Sequence, residues 1–162
     1  MMEIKRTISS NDKEDILLPE GDTDIVLEIE KGGDLDMLIT SENKKPQQVN
    51  LSVIHKGKGR SNIRFNSIIM SSIRLDAKLV MEKGSAGSFG KVSLNGIKIG
   101  KSAKASFCPK LVLLNGDVEI SHKSSIQGMP KETICYLMAR GIGKKEAQKL
   151  FCKRFLESRN VT

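Results

Sequence analysis

The 162-residue chain has the length of one domain with at most a small appendage, and it is long enough to bury a core without disulfide or metal staples. Hydrophobic residues make up 38% and aromatics only 4%, with no Trp, which suits stacked strands of Ile, Val and Leu and argues against an aromatic binding platform. The formal charge of +8 is uneven: residues 1–48 carry a net −6, residues 49–129 a net +9 and residues 130–162 a net +5. A solvated basic face is the plain reading of the middle and tail. Nucleic acid, anionic lipid or an acidic protein surface are the partners such charge would attract.

Three cysteines, Cys108, Cys135 and Cys152, are an odd number without CxxC spacing, so no disulfide framework is expected. No apolar run approaches the length of a membrane span. The opening Met1-Met2-Glu3-Ile4-Lys5-Arg6 lacks the apolar core of a signal peptide, and the expected compartment is the cytoplasm. The sequon Asn160-Val161-Thr162 is read as accidental.

In chain order, residues 1–24 read as a lead-in, and from Ile25 to Ile120 short strands of period two follow one another. Ile25, Leu27 and Ile29 open the series, then Leu35, Met37 and Ile39, then Val49, Leu51 and Val53, then Ile63 and Phe65. The cleanest alternation runs from Ser72 to Leu79, with Ile73, Leu75, Ala77 and Leu79 on one face and Arg74, Asp76 and Lys78 on the other. Further strands are read at Val92 and Leu94, Ile97 and Ile99, Ala103 to Phe107, Leu111 and Leu113, and Val118 and Ile120. Gly, Asn, Lys or Ser separates them, and no helical crossover intervenes, which excludes a βαβ sheet. An antiparallel sandwich and a stacked solenoid both remain open on periodicity alone. Only two Asn-Gly pairs mark hairpins, and no repeat of fixed length is present.

After residue 129 the period changes. Pro130 is placed at the first helical position, Ile134, Leu137 and Met138 form a helical stripe, and Gly141 supplies the left-handed residue that ends it. A second helix from about Lys144 puts Ala147, Leu150, Phe151 and Phe155 on one face and Lys145, Gln148, Lys149 and Lys153 on the other. Helices this short need something to dock on, and the β body is the simplest choice. Cys135 and Cys152 lie beside the two apolar stripes and are expected to be buried small hydrophobes.

Few chemical motifs survive scrutiny. Gly96-Ile97-Lys98-Ile99-Gly100-Lys101-Ser102 is one residue short of a phosphate loop, and a strand pattern follows where the motif needs a helix. Gly84, Gly87 and Gly90 read as a flexible turn between strands. His55, His122 and the three cysteines are the soft metal ligands, but no short turn holds two of them. A site shared by Cys108 and His122 across adjacent turns is the one pairing to check. No nucleophile elbow or His–acid pair is present.

The stretch from Asp117 to Gly128, including His122, followed by Ile134-Cys135-Tyr136-Leu137-Met138-Ala139-Arg140-Gly141-Ile142, resembles the carboxy-terminal signature of the SufB/SufD family of iron–sulfur cluster assembly proteins. That signature is a strand ending in a histidine, a small-residue turn, and a helix end reading Tyr-Leu-x-x-Arg-Gly-Ile. The likeness runs without gaps from about Leu94 to Phe155. It implies a mainly β protein: a right-handed parallel β-helix core over residues 25–128, with a C-terminal two-helix tail over 129–162 that docks a partner. It also implies a non-catalytic scaffold or accessory subunit, binding a SufC-type ABC ATPase through Tyr136, Leu137, Arg140, Gly141 and Ile142. A homodimer, or a heterodimer with a SufB-like subunit, is implied as well.

Departures from the family shape the expectation. The scaffold cysteine of the SufB branch falls on Leu94, and a glutamate common after the histidine is Lys123. Only His122 keeps a metal-ligand type. The chain therefore resembles a SufD-like or degenerate subunit with no intrinsic cofactor, sharing at most a transient iron–sulfur cluster with a partner. An orphan β-solenoid that assembles with itself is the alternative, and nucleic-acid binding by the basic segment ranks last.

Overall fold

Alternation of apolar and polar residues builds ten strands: β1 (Met2–Ile8), β2 (Asn11–Leu17), β3 (Thr23–Ile29), β4 (Asp34–Asn43), β5 (Gln47–His55), β6 (Arg60–Ile69), β7 (Ser72–Met81), β8 (Ser88–Lys98), β9 (Lys104–Leu113) and β10 (Val118–Gly128). Two helices follow, α1 (Lys131–Ala139) and α2 (Lys144–Glu157). The structure, a computed structural model, describes residues 1–159, so the sequon at Asn160, Val161 and Thr162 lies outside the described residues.

Consecutive strands never pair. The odd strands form one sheet in the order β1-β3-β5-β7-β9 and the even strands a second in the order β10-β8-β6-β4-β2, every neighbour parallel. The chain therefore crosses from one sheet to the other at each turn, and each pair of strands makes one of five rungs. This is a parallel β-helix with two C-terminal helices, and it disposes of the antiparallel sandwich.

Register places like over like. Ile25, Leu51 and Ala77 stack in one column, Leu27, Val53 and Leu79 in another, and Ile39, Phe65 and Leu94 face them from the second sheet. These residues are buried between the sheets. Phe65 meets Phe107 edge-on across the interior, ring centroids 6.3 Å apart at 80°. Gly90 sits inside β8, not in a flexible turn: a Cβ there would come within 2.5 Å of the Met81 side chain, so its lack of a side chain makes room for the opposing sheet.

Several boundaries differ from the sequence reading. Strands begin at Met2, not Ile25, because β1 and β2 carry charge at inward positions and so lack a clean alternation. Val92 and Ile97 belong to one strand that runs through Asn95-Gly96, and Phe107 and Leu111 to one that runs through Pro109. Neither the turn-like dipeptide nor the proline breaks its ladder, and proline is tolerated in β9 because that strand is an edge. Pro130 stands at the N-cap, one residue before the position expected. Gly100 turns with φ 89° and β9 follows, so no helix stands where a phosphate loop would need one.

His55, at the end of β5, is wholly buried. Its Nε2 shares a 2.8 Å hydrogen bond with Ser61 Oγ, and Nδ1 has no partner among the described residues. Burial pushes the imidazole down to about 4 from the ordinary 6.5. The unfolded chain thus takes up this proton near pH 6.5 and the folded chain only near 4. The group's contribution is intact above that window and is lost as pH falls through it, about 3 kcal/mol in full. Urea midpoints measured from pH 7 down to 4 should fall more steeply for the native chain than for His55→Leu. Parallel curves would show that the imidazole is solvated in the folded state.

Candidate partner-binding surfaces

A rung in the middle of the stack has its inward residues covered from both sides. At the last rung, among the described residues, no further strand covers the second side. Leu111 and Leu113 continue the Leu79 and Met81 columns inward, yet are 36% and 51% exposed; Ile126, stacked on Gly96, is 38% exposed. Phe107, Val118 and Ile120 pack on the core from this rung and are only half-buried. β9 and β10 are also the free edges of the two sheets. Long edges beside uncovered apolar side chains are a template for pairing with another chain.

The opposite end differs in kind. On the first rung the inward positions stacked on Leu27, Leu35 and Met37 are Arg6, Asp12 and Glu14, and Arg6 pairs with Glu14 at 3.8 Å. Inward-pointing charge is a common device against edge-to-edge association. So the two ends differ: charge stands at three inward positions of the first rung, beside Ile4, Ile8 and Ile16, whereas uncovered apolar side chains stand at the last.

His122 is on the last rung. The sequence reading put it where the strand stops, but β10 continues to Gly128, and His122 stands mid-strand, inward over Val92 and exposed. The turn expected from Lys123-Ser124-Ser125 is absent because the backbone ladder to Ser93-Leu94-Asn95 continues through it. Leu94 is fully buried one rung below, under Ser124. Cys108 does not join His122: it points outward from the other sheet, over Asp76. Among the described residues no three His, Cys, Asp or Glu side chains gather as a metal site.

The helical tail is the second surface. α1 ends as Gly141 turns to φ 85°, with Gly141 N–H donating to Met138 O at 3.0 Å and Ile142 N–H to Leu137 O at 3.2 Å. That closure holds the five tail residues in one short unit. Tyr136 is 56% exposed with the Arg140 guanidinium 4.6 Å above its ring, Gly141 is exposed, and Leu137 and Ile142 are half-buried. Cys135, expected inside, is exposed, because only Ile134 of α1 is buried. Cys152 is half-buried.

α2 docks on the outer face of the β4-β6-β8 sheet. Ile68 and Ile97 interrupt the outward polar rows of that face and pack with Phe151, Phe155 and Leu156. Beside them is a contact the sequence reading missed. Asn66 Nδ2 is within hydrogen-bonding distance of three carbonyls at the end of α2, Phe155 O at 3.1 Å, Leu156 O at 3.3 Å and Ser158 O at 2.8 Å, while its Oδ1 accepts from Asn95 Nδ2 at 3.0 Å. Arg159 adds ion pairs to Asp36, at 2.9 Å, and to Asp15. The adjacent apolar run Ile68-Ile69-Met70 is the signal that both faces of β6 are covered; nothing local marks Asn66 as a helix cap. No helix is long and apolar enough to cross a membrane among the described residues.

Fold and surfaces together define a parallel β-helix protein with one uncovered end and a C-terminal helical hairpin. The chain belongs to the SufBD family: the family model for the SUF system FeS cluster assembly SufBD core domain matches residues 24–155. It is similar to an iron–sulfur cluster assembly SufBD family protein of Pyrococcus horikoshii, 31% identical over 101 residues that cover 61% of this chain and 22% of the relative. The iron–sulfur cluster assembly protein SufD of Escherichia coli is 27% identical over 109 residues, 59% of this chain and 26% of that one. A SufBD family protein of Staphylococcus saprophyticus is 22% identical over 134 residues, 78% and 28% of the two chains. The chain thus spans about a quarter of the length of these curated relatives.

Asn66→Ala removes the cap on α2 and strands the buried Asn95 amide. It should lower stability by about 1–3 kcal/mol, and amide exchange in α2 should accelerate more than in β5. Equal protection of α2 in the variant would show that the apolar contacts alone seat the helix.

Proposed function

We propose that this chain is a non-catalytic scaffold or accessory subunit in cytoplasmic iron–sulfur cluster assembly. It pairs through the last rung with a second copy or a SufB-like subunit, and it binds a SufC-type ABC ATPase through the tail. The observation that carries the reading is the uncovered interior of the last rung, Leu111, Leu113 and Ile126, in a chain whose first rung carries Arg6, Asp12 and Glu14 at inward positions. Pairing edge to edge would extend both sheets and cover those side chains. It would also enclose His122, now exposed, between two subunits.

An iron–sulfur cluster enters this reading as cargo. The chain brings one imidazole to the interface; Leu94 is buried and apolar where the family resemblance puts a scaffold cysteine, and Cys108 faces away. The remaining ligands would come from the partner or from small thiols. The self-assembling alternative would need two adhesive ends for a filament. Arg6, Asp12 and Glu14 at the first rung favour a closed pair instead.

Two measurements check the proposal. Leu113→Lys with Ile126→Lys, changed at exposed positions, should convert a dimer to monomer in sedimentation velocity while the circular dichroism spectrum is kept. An unchanged dimer would move the interface elsewhere. Co-purification with a SufC-type ATPase should weaken at least roughly thirtyfold on Arg140→Glu with Ile142→Asp, the effect of losing one central anchor. Full binding by that double variant would end the tail-docking role.

A further inference from the structure

Between α2 and the ends of β4, β6 and β8 runs a cleft of about 460 Å³ that no residue of α1, β9 or β10 lines. Its floor is apolar: Ile68, Met70, Ile99 and Leu156. Along its rim stand Lys145, Lys149 and Lys153, all exposed, and among the described residues none of the three is in an ion pair. Four-residue spacing puts them on one helix face, about 6 Å apart along the axis. Cys152 faces the cleft between rim and floor, its thiol pushed up by burial and further by the nearby Glu42 carboxylate. Glu42 and Glu157 are the only acids on the lining.

We propose that this cleft is a docking groove for an acidic amphipathic helix of a partner protein. Carboxylates at i, i+4 and i+8 of that helix would run beside Lys145, Lys149 and Lys153, and its neighbouring apolar stripe would fill the floor. Three cations in line over about 12 Å match the repeat of a helix face, whereas one anionic headgroup would engage only one or two of them. An unpaired basic row directly above the half-buried apolar Met70, Ile99 and Leu156 is complementary to that one chemistry. The groove is separate from the tail residues around Tyr136 and from the open end, so it stands or falls apart from the ATPase and dimer readings.

The test uses the intact chain and a fluorescein-labelled helical peptide with Glu at i, i+4 and i+8 and Leu on the adjacent stripe. Fluorescence anisotropy should show saturable, salt-sensitive binding. The bound peptide should slow maleimide alkylation of Cys152, read by peptide mapping, and leave Cys135 unaffected. Lys145→Glu, Lys149→Glu and Lys153→Glu together should weaken binding at least about tenfold, and this variant should instead accept a peptide with Lys in place of Glu. Failure to bind, binding without protection of Cys152, or equal binding by a Leu-to-Ser peptide would each overturn the proposal. So would protection of Cys152 by dodecanoate but not by the peptide, which would make the cleft an amphiphile site.

Discussion

A coil of this solenoid is too thin to have an interior of its own. Its inward side chains leave water because neighbouring coils lie in register with them, so that Leu27, Val53 and Leu79 form one continuous column. Shift one strand by a residue and every side chain on it would change faces. The in-register parallel ladder is therefore the constraint from which the other features follow: the glycine that lets Met81 in, the aromatic pair that bridges the sheets, and the behaviour of the two ends.

Those ends resolve the same problem in opposite ways. At β1 and β2 charged Arg6, Asp12 and Glu14 share the inward positions of the outermost rung with Ile4, Ile8 and Ile16, and such charge tolerates water. At β9 and β10 the apolar columns continue to the last rung and stop there uncovered. The two ends of the stack thus present different chemistry. The helical hairpin does not cover the last rung: α2 sits on the outer face of one sheet, and Leu111, Leu113 and Ile126 stay exposed.

Much of this was legible in the residues, and the failures have physical causes. Alternation located the middle strands because one face of each is wet. It failed for β1 and β2, where the inward face is itself charged, and it broke β8 and β9 at Asn95-Gly96 and Pro109, whose local preference for turns is outweighed by ladder partners on β6 and β7. The choice of parallel coils over a sandwich came from family resemblance, since period two is common to both. The helix end at Gly141 was legible, whereas the roles given to Tyr136, Leu137, Arg140, Gly141 and Ile142 came from the family resemblance alone. So did the choice of His122, whose mid-strand, inward position the sequence did not show. Asn66 was invisible: its role depends on a helix end some ninety residues later in the chain.

The corners between strands carry a consequence of another kind. Thr23, Val49 and Leu75 stack at steps of 26 residues, yet the next step, to Phe107, takes 32. The interior does not register the difference, because the extra length is looped out where the chain passes between sheets. The bend at Gly100 and Lys101, both exposed, lies outside every column. Inserting foreign residues there adds only a slowly growing loop-closure cost. The molecule can therefore carry a grafted loop, label or tether at this corner while its stack of coils stays as it is.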